Sequence, residues 1–205
     1  PEGSINIVPG LGEKAGASLI SHPEINHISF TGSVETGKII QSEAAKNLVP
    51  VTLELGGKSP QIVFEDANID KAIPFLINAG IQNAGQTCSA SSRILVSRKI
   101  YLEVVEKMSS AYSKLKVAQA LDDKDLGPVI SSRQKQVIQK YLNFSKDLEC
   151  IAEGQYDNEL PKKGHYVLPK LYGNVEYSHK LAQEEIFGPI QVIISFEDEA
   201  DAIKI

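Results

Sequence analysis

Sulfur and tryptophan are scarce in this sequence. Its 205 residues contain no tryptophan, one methionine and two cysteines, Cys88 and Cys150. Two cysteines far apart in the sequence do not form a disulfide framework, although one disulfide between them stays possible. The low cysteine content favours a reducing, cytoplasmic setting. The four histidines are scattered and no H-x-x-x-H or C-x-x-C pair is present, so no metal site is predicted.

Strong positive charge and long apolar runs are also missing. The formal net charge is −5, and the only adjacent lysines are Lys162 and Lys163. Because no basic stripe with interleaved aromatic residues is present, we expect neither a nucleic acid nor an anionic membrane as a partner. The longest apolar runs are too short to cross a membrane, and no secretory signal is expected.

The composition that remains is typical of a globular protein, with 42% hydrophobic and 23% charged residues. In the first quarter of the chain, short apolar runs alternate with helical segments, a pattern that predicts a parallel sheet. The predicted strands are residues 5–10, 27–33 and 49–55, and the predicted helices are residues 13–22 and 34–46. The pair Gly56-Gly57 allows a sharp turn after the last strand, and it predicts two domains, 1–56 and 57–205.

The second domain is also predicted to combine helices with strands. An apolar residue recurs at i, i+3, i+4, i+7 and i+8 from Ile73, which predicts a helix with one buried face. Asp70 is a candidate cap for its start and Gly85 for its end. Cys88 then lies in a loop, followed by a strand at 93–97 and by amphipathic helices around 101–115 and 137–142.

The loop around Cys88 consists of small residues. In the stretch NAGQTCSASSR, residues 83–93, the neighbours of the sulfur have too little bulk to pack around it and leave room for a substrate. A small buried hydrophobe is the alternative role for such a cysteine. As a nucleophile, the thiolate would add to a carbonyl carbon to give a thiohemiacetal, which donates hydride and becomes an acyl thioester. Cys150 has bulkier neighbours and is predicted to be structural.

Glu54 is the candidate base for hydrolysis of such a thioester. The two-residue period of the strand at 49–55 places its apolar residues on one face and Glu54 on the other. A carboxylate at a strand end beside flexible glycines can deprotonate a water molecule. The alternative is an ordinary outward-facing strand carboxylate.

Two glycine-rich turns are candidates for nucleotide binding. Gly10, Gly12 and Gly16 lie between a predicted strand and a helix, with one residue more than the dinucleotide fingerprint has. Residues 32–38 fit the pattern G-x-x-x-x-G-K, so a phosphate-loop NTPase is an alternative function. Ile39 argues against it, because a Ser or Thr hydroxyl should hold Mg²⁺ at that position.

Three stretches together resemble the NAD(P)-dependent aldehyde dehydrogenase superfamily. They are VTLELGGKSP around Glu54, NAGQTCSASSR around Cys88 and AQEEIFGPI at 182–190. Softer matches extend the resemblance to essentially the whole chain. It implies an α/β fold: residues 1–56 would be the C-terminal part of a Rossmann-like parallel-sheet cofactor domain, and residues 57–205 most of the α/β catalytic domain of the aldehyde dehydrogenase fold.

By this resemblance, Cys88 is the nucleophile and Glu54 is the general base that activates water for deacylation. An aldehyde is oxidised to a carboxylic acid, with NAD or NADP as the hydride acceptor and no metal. The residues that the resemblance implies for cofactor binding are Gly12, Phe30, Thr31, Gly32, Ser33, Gly37, Leu55, Gly56, Glu185 and Phe187. Gly12 would lie near the adenosine, the turn at 30–37 at the pyrophosphate, and the last four at the nicotinamide and its ribose.

The sequence also departs from the family. Family members are more than twice as long, so we expect no robust dehydrogenase activity from these 205 residues alone. The residue that distinguishes NAD from NADP, much of the substrate pocket and the strand through which family members form homo-oligomers have no counterpart here. Glu54 favours the hydrolytic branch over coenzyme A acylation. A non-catalytic remnant that serves as an interaction module is a further alternative.

Overall fold

The computed structural model describes residues 1–157, 160–161 and 163–205. These residues form two compact units, Pro1–Gly56 and Gly57–Ile205. The division falls at the glycine pair where the sequence analysis places the domain boundary. The assignment of the two units as cofactor and catalytic domains stays a prediction.

The first unit is a β-α-β crossover. A π-helical turn (Gly12–Gly16) is followed by α1 (Ala17–Ile20), β1 (Ile28–Gly32), α2 (Val34–Lys46) and β2 (Val51–Leu55). The two strands pair in parallel, with Ile28 opposite Val51. α2 packs against them through Ile40 and Ala44, which belong to a small apolar core. The parallel pairing expected from the alternation of strands and helices is therefore confirmed.

Residues 5–10, predicted as a strand, do not form one. Ile5, Ile7 and Val8 are 86%, 87% and 70% exposed. A strand requires a neighbour to satisfy its N–H and C=O groups, and the β1-β2 pair does not extend to this segment in the described part of the chain. Apolar alternation alone was therefore an insufficient signal.

The second unit is built on a five-stranded sheet. Its strands are β3 (Pro60–Val63), β4 (Arg93–Ser97), β6 (Glu149–Glu153), β8 (Lys170–Gly173) and β9 (Ile190–Phe196). The order across the sheet is β3-β4-β9-β8-β6; β6 runs antiparallel to β8, and the other neighbours are parallel. A separate parallel pair joins β5 (Lys116–Val117) to β7 (Gln155–Tyr156). This architecture confirms the predicted α/β class.

Helices cover both faces of the sheet. They are α3 (Ile69–Ile81), α4 (Tyr101–Tyr112), α5 (Ser132–Leu142), α6 (Lys180–Gln183) and α7 (Glu199–Lys204), with short 3-10 turns at Gln82–Gly85, Arg98–Ile100, Ala120–Asp122 and Asn143–Ser145. Ile94 and Val96 of β4 belong to the core formed with α3 and α4, whereas Leu95 belongs to the core formed with α5 and α6. Burial on both faces explains the uninterrupted apolar run of β4.

The amphipathic helix predicted around Ile73 is confirmed as α3, but its cap differs. The N-cap is Asn68, whose side-chain oxygen accepts a hydrogen bond from the Lys71 N–H at 3.1 Å. Asp70 already lies in the first helical turn, so the expectation that it caps the helix is wrong. The α-helix ends before Gly85, which closes the 3-10 turn that follows.

A buried polar network joins the sheet to both helices on one face. The fully buried Gln191 of β9 donates from Nε2 to the Leu76 carbonyl at 2.8 Å and to the Ser91 carbonyl at 3.1 Å. The Tyr112 hydroxyl donates to Oε1 of Gln191 at 2.8 Å. Burial raises the pKa of Tyr112, so this hydroxyl stays a proton donor. The network fixes the chain just after Cys88.

Substitution of Gly80 tests this network. A Cβ at Gly80 would come within 2.1 Å of Nε2 of Gln191, whose three hydrogen bonds prevent it from moving aside. We expect Gly80→Ala to lower the free energy of unfolding by about 1–3 kcal/mol in urea titrations, although alanine is the better helix former. Nothing lies within 4 Å of a Cβ at Gly127. Gly127→Ala should therefore change the free energy of unfolding by less than about 0.5 kcal/mol. Equal stability of the two variants would rule out the proposed crowding.

Candidate active site

Cys88 lies in the turn between α3 and β4, as the sequence predicts. It is half-buried, so small neighbours do not leave the sulfur fully uncovered. Cys150 is the more exposed cysteine: it lies on the outermost strand, β6, where Ala152 faces the core instead. A β-bulge shifts the strand register between Cys150 and Ala152, which is why these two residues differ in burial. A structural role for Cys150 stays a prediction.

Three consecutive residues before the nucleophile candidate have left-handed backbone. The φ angles of Asn83, Ala84 and Gly85 are 51°, 54° and 73°. Such conformations cost on the order of 1 kcal/mol for a residue with a Cβ, and they persist where surrounding contacts impose them. Here Asn83 Nδ2 donates to the Gln86 carbonyl at 3.1 Å, and Gln86 Nε2 donates to the Asn83 carbonyl at 2.9 Å. The loop is thus held in one arrangement by its own side chains.

Gln86 also connects this loop to the segment that precedes α5. Its Oε1 atom accepts a hydrogen bond from the Ile130 N–H at 2.9 Å, just before α5. Gln86 is itself buried, so both ends of its amide are satisfied inside the protein. The turn that carries Cys88 is therefore anchored on one side by Gln86 and on the other by Gln191.

The segment with Glu185 and Phe187 packs directly against this loop. A Cβ on Gly85 would lie 2.2 Å from the carbonyl oxygen of Gly188, so the two backbones touch. Thr87, next to the cysteine, lines a small cleft together with Glu185 and Phe187. The structure therefore brings two predicted cofactor residues to the neighbours of the predicted nucleophile.

Gln134 holds this segment in place, and sequence reasoning missed it. From the first turn of α5, its Nε2 donates to the carbonyls of Ile186 at 3.1 Å and Phe187 at 2.8 Å. Phe187 has a φ of 55°, which is unfavourable for a bulky residue. Ser131 caps the helix by accepting from the Gln134 N–H at 3.1 Å. The S-x-x-Q spacing signals a helix start, but only the fold shows which carbonyls the amide reaches.

Lys58 is a second residue that sequence reasoning missed. It precedes β3, and its Nζ atom is buried without a hydrogen-bond partner among residues 1–157, 160–161 and 163–205. Arg93 Nη2 donates to the Lys58 carbonyl at 3.1 Å. Burial, together with the positive charge of Arg93, lowers the pKa of Lys58 to about 8, against the opposing effect of Glu185 and Glu184.

These groups share one edge of the sheet in the second unit. Lys58, Cys88 and Glu185 precede β3, β4 and β9, which are parallel neighbours. Because the starts of parallel strands lie at one edge, the three loops are gathered there. Glu54, in contrast, lies near the carboxyl end of a strand, β2.

The first unit contains the remaining predicted residues. Glu54 is exposed on β2 between two partly buried leucines, as the strand period predicts, and Thr31 lies opposite it in β1. A Cβ at Gly32 would come within 2.4 Å of the Phe30 ring, so a side chain there would require the ring to move. Glu54 and Cys88 belong to different units, and their convergence in one cleft stays a prediction.

The turn between β1 and α2 is too short for a phosphate loop. Gly32 ends β1, Val34 begins α2, and Ser33 between them is the N-cap that accepts from the Thr36 N–H at 3.2 Å. A phosphate loop requires several non-helical residues to wrap a phosphate chain. The geometry therefore argues against the NTPase alternative, while the N–H groups of the first turn of α2 can still bind one anion.

An apolar cavity of about 680 Å³ lies beside this turn in the first unit. Gly12, Phe30 and Thr36 are among the residues that line it. Its size and apolar lining suit a flat aromatic group, and the start of α2 suits a phosphate. Of the predicted cofactor residues, Gly12 and Phe30 border this cavity, and dinucleotide binding here stays a prediction. Within the described ranges, no three potential metal ligands cluster, and none of the helices could span a bilayer.

Comparison with known proteins assigns the family. The model of the aldehyde dehydrogenase family matches residues 1–205. The chain belongs to the aldehyde dehydrogenase family. It is 44% identical to an aldehyde dehydrogenase of Emericella nidulans and 43% identical to aldehyde dehydrogenase family 2 member B4, mitochondrial, of Arabidopsis thaliana, and each match covers 100% of this chain. The chain spans 41% and 38% of these relatives.

Solved aldehyde dehydrogenases share the fold. The NAD⁺ complex of the enzyme from Bacillus cereus has a TM-score of 0.89 and 36% identity, over 96% of this chain and 40% of that chain. Betaine aldehyde dehydrogenase from Staphylococcus aureus in complex with NAD⁺ has a TM-score of 0.88 and 36% identity, over 95% of this chain and 40% of that chain. The predicted fold, including its partial coverage of the family fold, is confirmed.

The hydrogen bonds of Gln134 can be tested with an isosteric change. Gln134→Glu replaces the donor amide with a carboxylate that repels both carbonyl oxygens, so we expect a loss of about 1–3 kcal/mol of stability and faster amide exchange at 186–188. Hydrogen exchange with mass spectrometry measures the second effect. Gln136→Glu, at an exposed position of the same helix, is the matched control and should preserve the exchange rates. Unchanged protection in Gln134→Glu would show that the amide does not hold the segment.

Proposed function

We propose that this chain carries the nucleophile, the general base and part of the cofactor site of an aldehyde dehydrogenase. The protein would oxidise a small-molecule aldehyde to a carboxylic acid with NAD⁺ or NADP⁺. The observation that most supports the proposal is the direct packing of the Cys88 loop against the Glu185–Phe187 segment through Gly85 and Gly188. Members of the family have been solved as NAD⁺ complexes, which favours NAD⁺ here.

The first chemical step is assigned to Cys88. Its thiolate adds to the aldehyde carbon, and the backbone N–H of Cys88 stabilises the oxyanion that develops. When bound, the nicotinamide supplies the hydride acceptor for the resulting thiohemiacetal. Loss of hydride leaves an acyl thioester on the sulfur. The left-handed backbone at 83–85 and the hydrogen bonds between Asn83 and Gln86 orient the loop that carries the sulfur.

The second step is assigned to Glu54. The carboxylate is exposed at the end of β2, beside Leu55 and Gly56, and water can reach it. It accepts a proton from a water molecule, whose oxygen attacks the thioester carbon; the carbon–sulfur bond breaks, and the carboxylic acid leaves. This role requires the side chains of Glu54 and Cys88 to lie close together in the folded protein.

The cofactor is assigned to residues from both units. The cavity beside Gly12 and Phe30 would receive the adenosine, and the turn of Thr31, Gly32, Ser33 and Gly37 the pyrophosphate. Leu55 and Gly56 would flank the nicotinamide, Glu185 would bind its ribose, and Phe187 would pack beside it. Since the chain spans about two fifths of its relatives, we propose the activity for the protein at the full length that its gene encodes. The 205 residues alone are proposed to lack robust activity.

Removal of the nucleophile should abolish catalysis. In the protein at its full encoded length, we expect Cys88→Ser to lower aldehyde oxidation by at least about 10³-fold, because a serine hydroxyl without a partner base is a poor nucleophile. Formation of NADH followed at 340 nm measures the rate. Cys150→Ser should retain the parental rate because that thiol lies on the outermost strand. Substantial activity in Cys88→Ser would refute the assignment.

Loss of the base should separate the two steps. We expect Glu54→Gln to slow steady turnover by about 10²–10⁴-fold while still forming one equivalent of NADH in the first turnover, because hydride transfer precedes deacylation. Stopped-flow absorbance at 340 nm resolves this burst. Glu106→Gln, at an exposed position of α4, is the control. Turnover by Glu54→Gln at the parental rate would remove Glu54 from the mechanism.

A further inference from the structure

Lys58 carries a buried side-chain ammonium group. Its Nζ atom is enclosed by protein, with no hydrogen-bond acceptor for it among the described residues. A charge transferred from water into such a site costs free energy, and only well-placed opposite charges recover it. The lowered pKa of Lys58, about 8, shows that burial and Arg93 outweigh the attraction of the nearby carboxylates. The protein therefore carries this charge at a net cost to folding.

The groups that face Lys58 come from three parts of the second unit. Arg93 at the start of β4 binds the Lys58 carbonyl, and it opposes the ammonium charge. Glu185 and Glu184, from the segment before β9, favour it, and the effect of Glu185 is the larger. Glu184 already accepts a hydrogen bond from the Tyr141 hydroxyl of α5 at 3.0 Å.

The same residues border the cleft beside the cysteine loop. Gly57, which precedes Lys58, and Ser92, which precedes Arg93, line this cleft together with Glu185 and Phe187. Groups with strongly shifted pKa values cluster at functional sites, so a costly buried charge beside a proposed binding residue supports a functional role. The buried charge of Lys58 therefore acts on Glu185, the carboxylate that would bind the cofactor ribose.

We propose that Lys58 is a positioning residue whose ammonium group orients the Glu185 carboxylate for binding of the cofactor ribose. This inference rests on the proposed function, since it assigns Glu185 to the cofactor. Lys58 itself touches neither the substrate nor the reacting atoms in this account. It acts through Glu185 alone, so its removal should affect nucleotide affinity more than the chemical step.

The proposal has a consequence for pH dependence. The folded-state pKa of Lys58 lies near 8, below its ordinary value of 10.5, so the ammonium is present at pH 7 and is lost as the pH rises through about 8. Nucleotide affinity should fall over that interval. Stability should change in the opposite direction, because the unfolded chain stays protonated up to about pH 10.5 and the cost of burying the charge is relieved between those two values.

The experiment compares Lys58→Met with Lys58→Arg in the protein at its full encoded length. We expect Lys58→Met to raise the dissociation constant for NAD⁺ about tenfold at pH 7, measured by calorimetry, with a smaller change in kcat than in KM. Its melting temperature without nucleotide should equal or exceed that of the parent. Lys58→Arg keeps the charge at higher pH, so this variant should preserve nucleotide affinity at pH 7. Its affinity should no longer fall as the pH rises through about 8. Lys99→Met, at a lysine with 71% side-chain exposure, is the matched control.

Each outcome decides the proposal. Parental affinity in Lys58→Met, or a parental protein whose nucleotide affinity is constant from pH 7 to pH 9, would overturn it. A lower melting temperature in Lys58→Met with unchanged affinity would assign Lys58 a structural role instead. If Lys58→Met does not fold, the pH dependence of Lys58→Arg against the parent gives the answer. A parental protein that binds NAD⁺ but oxidises no aldehyde would contradict the proposed function and leave the binding test of Lys58 intact.

Discussion

The contact between Gly85 and Gly188 is the constraint on which the candidate site depends. A side chain at Gly85 would collide with the Gly188 carbonyl, and the φ of 73° at Gly85 is itself one that residues with a Cβ rarely adopt. Two loops that are about a hundred residues apart in sequence therefore meet backbone to backbone. One loop carries Cys88, and the other carries Glu185 and Phe187, so this contact holds the loop of the thiol against the segment that is proposed to bind the cofactor.

Three buried or partly buried glutamines support that contact from different directions. Gln86 closes the cysteine loop on itself and on Ile130, Gln191 holds the chain after it, and Gln134 holds the backbone at Phe187. An amide can donate and accept at once, so it can satisfy buried backbone groups without carrying a charge. Lys58 differs from the glutamines because it does carry a charge. Its pKa is affected by Arg93, Glu185 and Glu184, so these charged groups lie close to the neutral amides that hold the loops.

The sequence was informative where a local pattern corresponds to a local structure. The period of α3, the faces of β2, the loop position of Cys88 and the boundary at Gly56 could all be predicted, since each depends on neighbouring residues alone. The strand expected at 5–10 failed because pairing depends on a partner strand. The exposure of Cys150 could not be predicted, because the sequence does not show the β-bulge that separates it from the buried Ala152. Gln134 and Lys58 could not be found, because their roles depend on the carbonyls and charges that folding brings to them.

The central claim is that Cys88 becomes acylated during turnover and that Glu54 releases the acyl group. The most direct measurement is peptide mapping by mass spectrometry of the unmutated protein, at its full encoded length, quenched in acid during oxidation of an aromatic aldehyde with NAD⁺. The account predicts an acyl group, with the mass of the aldehyde less one hydrogen, on the peptide that contains Cys88. An adduct on Cys150 alone, or product formation with no acylated cysteine at any quench time, would contradict it.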